Sequence, residues 1–269
     1  MQVLVILLLM IIILIICQLF LIVWHPQLPE KFYNLDFFYY GHRGAPTIYP
    51  ENTINSFKAA IDNNIDGIEL DVQLTSDKQI VIYHDQMIEY NGSSTKITDL
   101  TLSQIKTINV NNTFDNLPAH NIPTLDEVLK ILDADTIVNI EIKSYNSSVF
   151  NTLENMLVEL LEKYSIEDQI VISSFNPFII KKIKALNKNI STAFIWSSEA
   201  YHAYKLSIYY AKPDAFHVDI QDVNTEMVEW MKKRNLKIYA YTVNTQDDLT
   251  AAKNYQLDGI FTDNPNIKN

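Results

Sequence analysis

The chain has 269 residues, 48% of them hydrophobic, a formal net charge of −11 and a single cysteine. That length suits one large domain with a sizeable core. The acidic balance excludes nucleic acid as the main partner, since phosphate backbones are gripped by basic patches, and a lone Cys17 excludes an intramolecular disulfide. An anionic substrate would need local help, from a bound cation or from a few Arg and Lys residues set into an acidic protein.

The first element is an apolar run over residues 3–24, 22 residues broken only by Gln18. As a helix it would extend roughly 33 Å, enough for a hydrocarbon core of about 30 Å, so it reads as a transmembrane anchor. No basic residue precedes it and no small-x-small site closes it, which argues against a cleaved signal peptide. Ile16 before Cys17 is not the small residue of a lipoprotein signal, and the absence of a polar face argues against a buried core helix. The first basic residue, Lys31, stands beside Glu30, so charge leaves the side of the membrane open. The expected organisation is an anchor over 1–25, a juxtamembrane linker over 26–36 with rings such as Trp24, Phe32 and Tyr33 near the interface, and one domain over 37–269. The expected location is a membrane, crossed once.

From residue 37 short β-branched and aromatic runs alternate with amphipathic stretches, the pattern of a parallel α/β protein. Strands are predicted over 37–41, 67–72, 79–84, 137–142, 169–174, 192–196, 215–218, 237–242 and 259–262. Helices are predicted over 53–63, 125–132, 149–164, 177–186, 200–209, 225–234 and 246–255. Asn176 before Pro177 supplies a cap and a first-turn proline, Thr53 a cap for the first helix, and Thr225 with Glu226 a further helix start. Nine strands exceed a barrel of eight by one, so one of the shorter segments is irregular or lies outside. The Asn-, Thr- and Asp-rich stretch 86–123 reads as an elaborated loop or small insertion that could shape substrate access.

Ionisable residues gather where strands end: His42 and Arg43, Glu69 and Asp71, His84 and Asp85, Glu141 and Lys143. In a parallel barrel that end carries the active site. Glu69 and Asp71, two apart on a strand, point to one face and could share a cation, with Glu141 as a third oxygen ligand. An oxygen-only set favours Mg²⁺ or Ca²⁺ over zinc. A carboxylate in so apolar a strand would be costly to bury unpaired. Two histidines at strand ends suit phosphodiester cleavage, one accepting the nucleophile's proton while the other protonates the leaving oxygen. His25, His120 and His202 read as structural, and His217, on a predicted strand, stays open. Thr53 is expected to cap a helix, Glu51 and Asn52 to have a site role, and Asn244 to line the pocket or form a turn.

These residues together resemble the glycerophosphodiester phosphodiesterase family. The resemblance runs through Gly41-His42-Arg43-Gly44-Ala45, Pro50-Glu51-Asn52-Thr53, Gly67-Ile68-Glu69-Leu70-Asp71-Val72, His84-Asp85, Ile122-Pro123-Thr124-Leu125 and Glu141-Ile142-Lys143. It continues through Ser173-Ser174-Phe175 and Tyr241-Thr242-Val243-Asn244 to Asp258-Gly259-Ile260-Phe261-Thr262-Asp263. It implies a (β/α)₈ TIM barrel that releases sn-glycerol 3-phosphate and an alcohol. His42 and His84 would be the general acid/base pair and Glu69, Asp71 and Glu141 the ligands of a divalent metal ion. Arg43 and Lys143 would neutralise phosphate oxygens, with Glu51, Asn52, Tyr241 and Asn244 contacting substrate. Whether a cyclic phosphate precedes hydrolysis stays open. Two departures, Tyr241 where the family often has Trp and Tyr90-Asn91-Gly92 after the His-Asp pair, bear on the leaving alcohol. The competing readings are a lysophospholipase D acting on lysophospholipids beside its own membrane, and a catalytically silent anchored binding module.

Overall fold

The computed structural model describes residues 5–7, 9–14, 24–111, 114, 116–133, 135–145, 152–199 and 203–268, the side chains of Lys31 and Tyr33 excepted. Its strands are β1 (Phe38–Gly41), β2 (Gly67–Leu74), β3 (Ile80–Ile82), β4 (Met87–Tyr90), β5 (Ser93–Lys96) and β6 (Ile137–Ile142). They are followed by β7 (Ile170–Ser174), β8 (Ser191–Trp196), β9 (Ala215–Asp219), β10 (Lys237–Tyr241) and β11 (Gly259–Thr262). The helices are α1 (Ile54–Asp62), α2 (Leu102–Ile105), α3 (Leu125–Leu129), α4 (Thr152–Tyr164), α5 (Pro177–Leu186), α6 (Tyr204–Ala211), α7 (Thr225–Lys232) and α8 (Gln246–Asn254).

Eight of the strands pair in parallel in the order β1-β11-β10-β9-β8-β7-β6-β2, and β1 pairs back onto β2 through Tyr40↔Gly67 and Gly41↔Ile68. The sheet thus closes into the expected (β/α)₈ barrel. Both faces of each strand are covered, so β2 reads as a continuous buried run rather than an alternating one. Along it Ile68, Leu70 and Val72 pack toward the helices, while Gly67, Glu69 and Asp71 alternate inward.

The strand in excess is β3. It runs antiparallel to β2, with Val72↔Ile82, Gln73↔Val81 and Leu74↔Ile80 in register. β2 overshoots the barrel rim, turns, and β3 returns along it. His84 therefore reaches the rim from above, and the expectation that it ends a barrel strand is corrected: two apolar residues either side of a turn look the same in sequence whichever way the strand pairs. Residues 86–123 hold more than a loop. They form the hairpin β4–β5 and the short α2, which begins in a Thr101–Gln104 capping box. Their core of Ile88, Ile97, Leu100, Ile105 and Ile122 packs on Val81.

Helix starts follow the caps. Thr53 accepts from the Ser56 amide and Asn176 from the Phe178 amide, with Pro177 in the first turn. For α7 the cap is Asn224, and Thr225 is the first helical residue; either side chain could accept the bond, and Asn224 takes the extended backbone that a cap needs.

The barrel floor corrects the expected linker over 26–36. Leu28 and Phe32 are buried at 8% and 2% exposure among Phe38, Tyr40, Tyr239 and Phe261 in the barrel interior. Phe32 stacks on Phe38 with centroids 4.7 Å apart. The Gln27 amide donates to Asp214 Oδ1 at 2.9 Å, and Ser191 donates to the Gln27 carbonyl at 3.1 Å. Phe32, expected near a membrane interface, is thus a plug, because an eight-stranded barrel leaves an apolar interior that must be filled. Gly259 lets β11 approach β1 here, since a Cβ on it would stand 2.2 Å from the Phe38 carbonyl oxygen.

Of the expected anchor, residues 5–7 and 9–14 are helical and exposed; residues 1–4, 8 and 15–23 lie outside the described residues. Among the described residues no helix is long and apolar enough to cross a membrane.

If Phe32 plugs the floor, Phe32→Ala should lower stability by about 3–5 kcal/mol, as core aromatic truncations do. Urea unfolding monitored by circular dichroism reads this directly. A loss below about 0.5 kcal/mol, the range of surface substitutions, would instead mark 26–36 as a linker.

Candidate active site

Glu69, Asp71 and Glu141 converge at the C-terminal rim of the barrel because β2 and β6 pair with Glu69↔Asn139 and Asp71↔Glu141 in register. One oxygen from each carboxylate lies within 4.8 Å of the others. Glu69 and Asp71 are almost fully buried, at 3% and 1% exposure. Burial first, then the charges of Asp71 and Glu141, push the Glu69 carboxyl well above the usual glutamate range. Burial would also raise Asp71, but the charges of Lys143, Arg43 and His84 and a hydrogen bond from Asn52 outweigh it and hold Asp71 at about 2.

Two cations and one amide frame the trio. Lys143 Nζ donates to Glu141 Oε1 at 2.7 Å and stands 2.9 Å from Asp71 Oδ1. The second contact is an ion pair only, so Asp71 Oδ1 is buried without a hydrogen-bond donor. Burial pulls Lys143 down, but Glu141 and Asp71 together hold its pKa above the ordinary lysine value. Arg43 takes a left-handed backbone, φ +54°, which aims its amide at Glu69 Oε2, 2.7 Å away. Its guanidinium pairs with both oxygens of Glu51 at 3.0 Å, and Nε lies 3.5 Å from Asp71 Oδ2. Asn52, also left-handed at φ +56°, donates from Nδ2 to Asp71 Oδ2 at 2.8 Å. Three carboxylates meet only these two cations, Glu69 and Asp71 are buried at the cavity wall, and Asp71 Oδ1 has no hydrogen-bond donor. Those features fit a divalent cation held by Glu69, Asp71 and Glu141, whose all-oxygen donor set suits a hard ion.

Each histidine is oriented by its own carboxylate. His42, whose amide donates to the Thr262 carbonyl, has Nδ1 2.8 Å from Asp263 Oδ1. Asn244 holds that aspartate twice: Nδ2 donates to Asp263 Oδ2 at 2.6 Å, and Oδ1 accepts from the Asp263 amide at 2.8 Å. Burial raises Asp263, but the hydrogen bond and charge of His42 and the bond from Asn244 bring it below the ordinary aspartate value. His84 Nδ1 lies 2.7 Å from Asp85 Oδ1. Its loop is stapled by Gln73, which donates from Nε2 to the Tyr83 and Asp85 carbonyls at 2.7 and 2.8 Å.

These groups open into one cavity of about 280 Å³. One side is polar: His42, Arg43, Glu69, His84, Glu141 and Lys143. The other is largely apolar, formed by Phe175, Ile195, Tyr241 and Phe261, with Asp219 and Thr242 at its edge. The Tyr241 hydroxyl donates to the Trp196 carbonyl at 3.1 Å, and its ring meets Phe175 edge-on at 6.2 Å. Glu51, Asn52 and Asn244 stand one layer behind, holding Arg43, Asp71 and Asp263. His217 lines the floor, 2% exposed, edge-on to Phe261 at 4.7 Å; burial pushes its pKa down to about 3 and keeps it neutral. His120 is structural: it lies 2.8 Å from Asn55 Nδ2 and 2.9 Å from Asn111 Oδ1. His25 is exposed, and His202 lies outside the described residues.

Sequence reasoning gave no role to Asp263 or Gln73. Both were detectable. Asp263 follows the last strand as His42 follows the first, and Gln73 continues the inward alternation of Glu69 and Asp71.

Residues 42–267 match the model of the glycerophosphoryl diester phosphodiesterase family. A glycerophosphodiester phosphodiesterase of Caldanaerobacter subterraneus subsp. tengcongensis is 34% identical over 232 residues, spanning 83% of this chain and 93% of that protein. Among solved structures, the glycerophosphodiester phosphodiesterase of Thermotoga maritima is similar with a TM-score of 0.70 and 25% identity, over 86% of this chain and 96% of the other. An Oleispira antarctica phosphodiesterase, solved in complex with the product sn-glycerol-3-phosphate, superposes with a TM-score of 0.76 at 24% identity, over 87% and 96% of the two chains.

The crowding of Glu69 gives a signed expectation. A carboxyl raised in the folded state destabilises the fold where the unfolded chain's glutamates are ionised, above about pH 4.3, and not below it. Glu69→Gln keeps an acceptor for the Arg43 amide and removes the charge. In chelator at pH 7 it should be more stable than the parent by about 1–3 kcal/mol, the scale of relieving a poorly matched buried polar group. The gain should vanish near pH 4. Paired urea titrations at both pH values test this; equal midpoints at pH 7 would show that Glu69 is not crowded.

Proposed function

The chain belongs to the glycerophosphoryl diester phosphodiesterase family, and from that membership we propose that it hydrolyses glycerophosphodiesters to sn-glycerol 3-phosphate and an alcohol. In this reading His42 and His84 are the acid/base pair, and Glu69, Asp71 and Glu141 hold a Mg²⁺ or Ca²⁺ ion. The observation that carries it is the meeting, in one cavity, of a crowded carboxylate trio with two histidines that each rest on a separate carboxylate.

With Nδ1 of His42 donating to Asp263, Nε2 is the atom that exchanges a proton with the substrate, taking one when neutral and giving one when protonated; Asp85 orients His84 in the same way. One imidazole removes the proton of the attacking hydroxyl, either water or the neighbouring glycerol hydroxyl, as its oxygen bonds to phosphorus. The other, present as imidazolium, gives its Nε2 proton to the alcohol oxygen as the P–O bond breaks; where the glycerol hydroxyl attacks, water then opens the cyclic phosphate with the two roles exchanged. Arg43 and Lys143 face the non-bridging oxygens, where charge builds in the transition state. When bound, the cation would supply further charge neutralisation and lower the pKa of a coordinated hydroxyl. Asn52, Gln73 and Asn244 act through their neighbours, holding Asp71, the His84 loop and Asp263. The phosphate would sit on the polar side and the leaving alcohol against Phe175 and Tyr241. The run 3–24 is read as the membrane anchor of this enzyme, its support being apolar length alone.

Full-length protein in detergent should release glycerol 3-phosphate from glycerophosphocholine, lose that activity in chelator, and regain it with Mg²⁺ or Ca²⁺. His42→Ala and His84→Ala should each lower kcat by about 10²–10⁴-fold, the usual contribution of a general acid or base. Asp263→Asn should lower activity by about 10–100-fold, the scale of losing a partner that orients a ligand or base. Activity that survives chelation, or survives either alanine variant, would sink the mechanism. Lysophosphatidylcholine assayed in parallel separates the acylated substrate class.

A further inference from the structure

Helices α5 and α6 form a face unlike the rest of this acidic protein. From residue 169 to residue 213 the sequence carries six lysines and one acid, Glu199. Lys184 is drawn inward to the buried Asp214, and Lys205 pairs with Glu226. Lys181 and Lys188 remain exposed on one stripe of α5 and its C-terminal end. Large apolar side chains share the face. Of the eight exposed among the described residues after Trp24, four belong to these two helices, so the concentration is local. Phe178 is 63% exposed and Leu206 72%. Phe178 meets Tyr210 edge-on at 5.0 Å, and Lys181 Nζ sits 4.0 Å from the centroid of the same ring.

The chain itself indicates what covers this face. Trp24, the last residue of the apolar run, lines one groove together with Lys181, Lys188, Tyr210 and Lys212. Its indole donates to the Pro213 carbonyl at 3.0 Å, and its ring meets Tyr209 edge-on at 5.9 Å. The apolar run therefore joins the barrel at the basic groove. Resting on the anchor reading given above, we infer that the α5–α6 face docks on the surface of a bilayer containing anionic lipids. Lysines and aromatic rings around protruding Phe and Leu side chains make the amphipathic surface that binds headgroups and the upper acyl region. The strong negative charge elsewhere would be repelled by such a bilayer, so the pose is selected by charge as well as by the tether.

The tether and the docking face differ in extent along the barrel. Pro213 and Ser191 stand at the N-terminal ends of β9 and β8, the floor side, whereas the catalytic cavity opens at the opposite rim. The α5–α6 face itself runs along the flank of the barrel, from Phe178, three residues past the Phe175 that lines the cavity, down to Lys188.

Full-length protein would be reconstituted on vesicles of phosphatidylcholine, with or without about 30% phosphatidylglycerol, and floated on a density gradient. Membrane-impermeant amine acylation would then be read at each lysine by mass spectrometry. The expected result is flotation with both vesicles, with acylation of Lys181 and Lys188 slowed about threefold or more only on the anionic ones, and protection lost in about 0.5 M salt. Phe178→Ser with Leu206→Ser should float and hydrolyse glycerophosphocholine like the parent but lose that protection. Flotation with labelling as fast as in detergent overturns the docking and leaves the anchor standing. Failure to float overturns both and leaves the phosphodiesterase reading untouched. Slow labelling already present in detergent means that a second copy covers the face, and overturns the docking.

Discussion

Repulsion among three carboxylates packed into the barrel mouth organises the rest of the site. Glu69, Asp71 and Glu141 are brought within 4.8 Å by the pairing of β2 with β6, and a low-dielectric interior magnifies the conflict. The surrounding features read as responses to it. Lys143 lies between Asp71 and Glu141, the Arg43 amide is turned onto Glu69, and Asn52 takes a left-handed backbone to reach Asp71. Each response also has a use. The cations that quiet the carboxylates face the same cavity, and the charge left over is what a divalent ion would neutralise. On the proposed reading, stability given up in the metal-free protein would be returned as affinity toward a cation.

Much of this was legible in the sequence because barrels are regular. Inward and outward residues alternate with period two, so Glu69 and Asp71 had to share a face, and strand ends had to carry the chemistry. All eight parallel strands were found to within a few residues. The errors have physical causes. β3 was read as part of the repeating pattern because hydrophobic periodicity is blind to strand direction, and only its partner β2 reveals that it returns. The stretch 26–36 looked like a linker because Pro26, Pro29 and scattered rings carry no periodicity. Its burial comes from residues far along the chain, among them Tyr239 and Phe261, which no local window contains. Asp263 and Gln73 were missed for a milder reason: each acts on a histidine rather than on the substrate, and such support leaves no motif.

Two histidines with similar local chemistry are delivered in different ways. His42 follows directly from β1, and its height is fixed by barrel register through the Thr262 carbonyl. His84 arrives on a return strand, placed by antiparallel register with β2 and by the Tyr83 amide, which donates to the Asp71 carbonyl at 3.0 Å. Gln73 adds to this, its amide gripping the backbone on both sides of His84. Both imidazoles are thus placed by backbone pairing with the barrel, the second through a return strand and with a side chain added. The second arrangement leaves the rim free to carry residues 86–123, whose own core rests on Val81.

The plugged floor also bears on how the molecule comes into being on the ribosome. Trp24 and Gln27 find their partners 189 and 187 residues later, at Pro213 and Asp214, and Phe32 waits for Tyr239. Synthesis runs from the N-terminus at about 5–20 residues per second, so these first residues emerge long before anything exists for them to fill. The barrel can be sealed only once its last quarter has been made. Its earliest segment is therefore the last to find its place, and the interval in which apolar side chains stand uncovered is set by translation rather than by the speed of folding.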